Sequence, residues 1–156
     1  MKLPIRQGIV AATLSAIAVT GLAAAPAAHA GNILCSSDTT TSKYFASCNR
    51  FVNSNGSVSV SANVHRYNPT SASNASTYFR ATGREVHVRN NLVETSSTQH
   101  TVTWYSPNGT ANRVYNGHLK PGESKVVKLS IPKGVKVRVA TYSSLTGGAS
   151  NTRGKA

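Results

Sequence analysis

After residue 56 the apolar side chains of this chain return at every second position. Between Ser57 and His65 the apolar residues are Val58, Val60, Ala62 and Val64, with Ser59, Ser61 and Asn63 between them. From Glu85 to Val93, Val86 and Val88 share a face with Leu92, while His87 and Arg89 take the other. Thr101 to Tyr105 and Gly134 to Tyr142 repeat the pattern. A period of two places one face of a strand against a core, whereas an amphipathic helix needs a period near 3.6. No helical pattern of useful length follows residue 30. Ser, Thr, Asn and Val are abundant and Leu, Met and Glu scarce, which favours strands over helices.

Turn chemistry divides these runs. Asn55-Gly56, Asn108-Gly109 and Asn116-Gly117 supply the positive φ that tight turns require, and Pro121-Gly122 and Pro132-Lys133-Gly134 add two breaks. Short strands at this spacing predict an all-β, antiparallel sandwich or barrel, in one domain over residues 31–145. Residues 68–76 read as a polar loop, and 146–156, Gly-rich and carrying Arg153 and Lys155, as a flexible basic tail. Asn55, Asn74 and Asn108 head Asn-x-Ser/Thr triplets, read here as turn chemistry rather than glycan acceptors.

The stretch Leu119-Lys120-Pro121-Gly122-Glu123-Ser124, with the alternating strands around Ile131-Pro132-Lys133-Gly134, resembles a strand–turn–strand pattern of immunoglobulin-like sandwiches in secreted bacterial proteins. The resemblance implies an immunoglobulin-like antiparallel β-sandwich and brings no functional residues with it.

The N-terminus has the three parts of a secretory leader: Lys2 and Arg6, an uncharged apolar run from Gly8 to Ala25, and Ala28-His29-Ala30 as a small-residue cleavage site. The expectation is a signal peptide over 1–30 and an extracellular product. In that compartment Cys35 and Cys48 are expected to form one disulfide, worth up to about 3 kcal/mol for a loop this short. No Cys-x-x-Cys spacing suggests a redox or metal pair.

Acid–base catalysis is thinly provided. The only carboxylates are Asp38, Glu85, Glu94 and Glu123. Glu85 and Glu94 would lie about 30 Å apart on a straight strand, far beyond the roughly 5–9.5 Å of a glycosidase pair. Gly-x-Ser-x-Gly is absent, and the scattered histidines form no metal-ligand spacing, so neither a metal nor a cofactor is expected. The best enzymatic pattern is Glu85-x-His87-x-Arg89, which would align a base, an acid and a phosphate clamp on one strand face as in a small ribonuclease, with His100 or His118 as a second imidazole.

Charge gives the stronger signal. The formal net charge is +13, and it stays at +11 without Lys2 and Arg6, because acids are missing rather than bases abundant. If Ser124 to Ile131 pairs with Val135 to Tyr142, then Lys128 opposes Arg138 and Lys136 lies beside them, with Lys125 and Lys133 near the ends. Like charges placed opposite cost stability, a cost that an anionic ligand would offset. The expected site is therefore Lys125, Lys128, Lys133, Lys136 and Arg138, and the expected partner an acidic protein or anionic envelope polymer. Nucleic acid is disfavoured, because stacking aromatics are not interleaved with these bases. The expected function is a non-enzymatic secreted binding module. The alternatives are an adaptor subunit contacting other secreted subunits, as in a bacterial toxin particle, and a ribonuclease acting through Glu85, His87 and Arg89.

Overall fold

A computed structural model of the chain describes residues 30–33, 35–37, 43–67, 73–92, 97–144 and 146–156. Among these, eleven strands form one antiparallel sheet: β1 (Ala30–Ile33), β2 (Ser36–Ser37), β3 (Tyr44–Val52), β4 (Val58–Arg66), β5 (Asn74–Arg80), β6 (Glu85–Asn90), β7 (Thr98–Tyr105), β8 (Ala111–Leu119), β9 (Ser124–Lys128), β10 (Lys136–Ser143) and β11 (Gly147–Lys155). The main path runs β8-β7-β10-β11-β4-β5-β6-β9, with β3 and β1 continuing from β4 on a branch and β2 pairing β11. Residues 1–29 of the expected leader, Asp38 and Glu94 lie outside the described residues.

The sheet curls nearly into a barrel. One half, β8-β7-β10-β11, lies against the other, β1-β3-β4-β5-β6-β9, and the two join where Lys155 pairs with Val58. Alternation decides what faces inward. Val58, Val60, Ala62 and Val64 of β4 are all buried, as are Val86 and Val88 of β6 and Val137 and Val139 of β10. Leu129 and Ile131, beyond β9, close one end of this core. The Asn90 side chain donates to Leu119 O at 3.0 Å, and its backbone bonds to Gly122 and Glu123, drawing the β8 and β9 edges together.

A polar pin crosses the interior. Thr77 Oγ1 donates to Ala140 O at 3.0 Å and Thr141 Oγ1 to Ala62 O at 2.8 Å. With both hydroxyl hydrogens so placed, Thr77 Oγ1 accepts from His100 Nδ1 at 2.8 Å, and Thr98 donates to Nε2 at 2.7 Å. The imidazole is fully buried, and burial, aided by the charge of His118, lowers its pKa to about 4.

Cys35 and Cys48 form the expected disulfide, with a Cα–Cα distance of 5.3 Å. Four expectations need correction. The hairpin drawn between Ser124–Ile131 and Val135–Tyr142 does not form: β9 pairs with β6, and β10 lies between β7 and β11. The faces were read correctly, but each strand has other neighbours. Residues 146–156 are not a tail. Gly147–Lys155 is a central strand, and Ala156 is buried, its N donating to Val135 O at 3.1 Å. Small residues are required there, since a Cβ on Gly154 would lie 2.9 Å from Val137 O and from a Val60 methyl. Finally, Asn74 to Ser76 belong to β5, and Asn116-Gly117 lies inside β8 rather than in a turn.

Candidate functional site

The outer face of β8-β7-β10-β11 is a lattice whose register can be read strand by strand. Lys155, Lys136, Tyr105 and Ala111 make one cross-strand row. In the next, Arg138 lies opposite Thr103, and Thr103 opposite Arg113. On the other side of Arg138 the register shifts between Val137 and Val139, so Thr152 and Arg153 together face one residue. Such a bulge turns two exposed side chains outward where a regular ladder would show one. Lys136, Arg138, Arg113, Arg153 and Lys155 are all exposed. Four adjacent strands span about 14 Å, so five cations share a small area. No carboxylate side chain of the described residues lies on this face. Glu123 sits in the β8–β9 turn, capping Lys120 N at 2.7 Å, and Glu85 belongs to the other half.

The expected set is thus divided. Lys136 and Arg138 stand on this face, and Lys133 stands at its end, in the β9–β10 loop. Lys128 is on the opposite half, directly across from Glu85, and Lys125 lies at the open β9 edge across from Val88. In their place the fold brings Arg113, Arg153 and Lys155. Arg153 and Lys155 were missed because Gly, Ser and Asn dominate their strand and mimic a loop. Arg113 lacked a signal because β8 pairs through a bulge at Val102/Thr103 that breaks its alternation.

A cleft of about 560 Å³ opens at the end of the face. Tyr105, Ser106, Pro107 and Gly109 form one side, and Lys133, Gly134, Val135 and Lys136 the other. Both walls are fixed by their own hydrogen bonds. In the β7–β8 turn, Gly109 N donates to Ser106 O at 2.8 Å, and Asn108 Oδ1 accepts from Thr110 N at 3.1 Å. Gly109 takes φ +86° there. In the β9–β10 loop, Gly134, at φ +83°, donates its N–H to Ala156 O at 2.5 Å.

The outer face of the other half is built differently. Glu85, His87 and Arg89 do share one face of β6, as the alternation predicts. Glu85 Oε1 accepts from His87 Nε2 and from Arg80, each at 3.1 Å. These bonds, that from His87 foremost, hold the Glu85 carboxyl below its ordinary pKa. The proposed second imidazoles are not nearby: His100 is in the core, and His118 is on the outer face of β8 across from Gln99. On β3 and β4 the same face is a hydrogen-bonded network. Ser47 contacts His65 at 2.7 Å, and Asn63 donates to Ser61 at 3.0 Å. Phe45 stacks on His65, with ring centres 4.8 Å apart. No group of three or more potential metal ligands occurs among the described residues.

Fold and site together define a small all-β, disulfide-bonded, strongly basic chain with five exposed cations and no described Asp or Glu on one outer face of its sheet. No family model matches the chain, and no significant match was found among curated proteins or solved structures.

Proposed function

We propose that the protein is a secreted, cationic, non-enzymatic binding module of immunoglobulin-like two-layer build. It engages an anionic partner, an envelope polymer or an acidic protein, through the outer face of β8-β7-β10-β11. One observation carries the reading: Lys136 and Lys155 are direct cross-strand partners, with Arg138, Arg113 and Arg153 in the adjoining row and no described Asp or Glu among them. Opposed like charges destabilise a sheet by about 0.2–1 kcal/mol per pair, and a polyanion reverses the sign of that interaction. Salt should therefore weaken binding steeply. Sedimentation of the protein with whole bacterial cells at rising ionic strength tests this. Salt-independent binding would point to an apolar interface instead. Recovery from culture fluid with stoichiometric companions would assign the same face to an adaptor role within a secreted assembly.

A second reading, a small ribonuclease, is supported by the 3.1 Å contact between Glu85 and His87 with Arg89 on the same face. RNA cleavage that disappears in Glu85→Gln would establish it, and intact RNA after prolonged incubation would remove it.

A further inference from the structure

Resting on that polyanion-binding reading, we propose that the cleft between the β7–β8 turn and the β9–β10 loop takes a phosphate-bearing sugar or polyol unit. The partner is then a polymer of phosphodiester-linked units rather than an acidic protein. The exposed cations supply attraction along the face, but attraction alone does not select one polyanion over another. The cleft has what selection needs. Its volume of about 560 Å³ suits one or two sugar rings. The Tyr105 ring, Pro107 and Val135 give it apolar surface, on which the carbon face of a ring or polyol can rest. Lys133 and Lys136 both line it and give it a positive charge.

The kind of cation matters. Arginine's planar fork grips carboxylate and phosphate alike two-pronged, whereas lysine is a point charge that can meet a tetrahedral phosphate from any side and offers a planar carboxylate no matching fork. This cleft is lined by lysines and by no arginine; Arg138 and Arg113 lie one row further along the sheet. The walls are set before any ligand arrives. Asn108 holds the turn through Thr110 N, and Gly134 N is engaged by Ala156 O. Little ordering is then required on binding, which favours a small, specific contact over a loose electrostatic one. Because Tyr105 is the register partner of Lys136, the cleft continues the first cationic row, Lys155–Lys136–Tyr105. A polymer lying along the face would place one of its units in the cleft and its neighbouring phosphates over Arg138 and Lys155.

The test is a nuclear magnetic resonance titration of the disulfide-bonded protein with glucose 1-phosphate, glucuronate and glucose. Glucose 1-phosphate should shift the amide signals of residues 105–109 and 133–136 saturably, with glucuronate at least about tenfold weaker and glucose without effect. Lys133→Gln and Tyr105→Leu should each weaken glucose 1-phosphate several-fold, with the salt dependence of cell binding shallower by about one contact in Lys133→Gln and unchanged in Tyr105→Leu. No saturable shift at these residues, or glucuronate binding as tightly as glucose 1-phosphate, would overturn the proposal. In either case salt-dependent cell binding lost on Arg138→Gln/Lys155→Gln would leave the polyanion reading standing, and its absence would remove that reading too.

Discussion

The two outer faces of this curled sheet treat their charges in opposite ways. On β3-β4-β5-β6-β9, Glu85 serves Arg80 and His87 and lies across from Lys128, and Ser47, Ser61 and Asn63 bond to one another or to His65. On β8-β7-β10-β11, Lys136 faces Lys155, and Arg138 has Thr103 on one side and the Thr152/Arg153 bulge on the other. The first face sets one carboxylate, Glu85, among its cations Arg80, Arg89 and Lys128. The second has no described Asp or Glu beside its cations, and this is the surface the proposed anionic partner would meet.

The largest effect tests what holds the halves together. His100 is buried neutral, with its pKa lowered to about 4 from an ordinary 6.5. Between those values the unfolded chain binds the proton and the folded chain does not. Stability is therefore full above pH 6.5 and falls as the pH drops toward 4, by on the order of 3 kcal/mol. His65, whose pKa burial also lowers, adds to the same trend. Denaturant melts at pH 7 and pH 4.5 should show the loss. His100→Gln, which cannot take up the proton, should flatten it.

Next, Gly154→Ala crowds the junction of β11 with β10 and β4 and should cost about 1–3 kcal/mol in thermal or urea melts. A change without cost would mean that 146–156 is the free tail its composition suggests. Third, Arg138→Glu with Lys155→Glu should weaken retention on a polyanion by more than about tenfold, at roughly 1 kcal/mol per cation near an anionic surface. Arg89→Glu or Lys128→Glu, on the face that carries Glu85, should change it less than about twofold. Equal losses from both faces would erase the distinction. The smallest effect has the most telling sign. Lys136→Thr, by removing an opposed like charge, should raise stability by a few tenths of a kcal/mol while weakening binding. Lys128→Thr should lower the melting temperature, because Lys128 has Glu85 across from it.

Much of this was legible in the residues, up to the point where pairing partners must be chosen. The alternation at 58–64, 86–92 and 135–139 fixed which side chains are inside, and Val60, Val86, Leu92 and Val137 are all buried. The turns at Gly56, Gly109, Gly122 and Gly134 have the positive φ their dipeptides imply. Alternation assigns a face to each strand but says nothing of its neighbour, so two adjacent basic strands were paired that the fold sends to opposite halves. β11 was hidden for a different reason. Its inner positions, among them Ala149 and Gly154, are small because β4 and β10 approach closely, and that closeness appears only once the sheet has curled. Two of the five cations of the basic face, Arg153 and Lys155, were hidden with it.

The central claim is that the open face of β8-β7-β10-β11 is where an anion binds. The most direct measurement is the slope of log K against log salt for binding to a poly(glycerol phosphate) chain, for the native protein and for Arg138→Gln/Lys155→Gln. Each phosphate contact contributes a slope of about 0.7–0.9 in nucleic-acid systems. The account predicts a slope shallower by about one to two in the double variant, and one unchanged in Arg89→Gln/Lys128→Gln. A slope that stays the same in the first and falls in the second would contradict it.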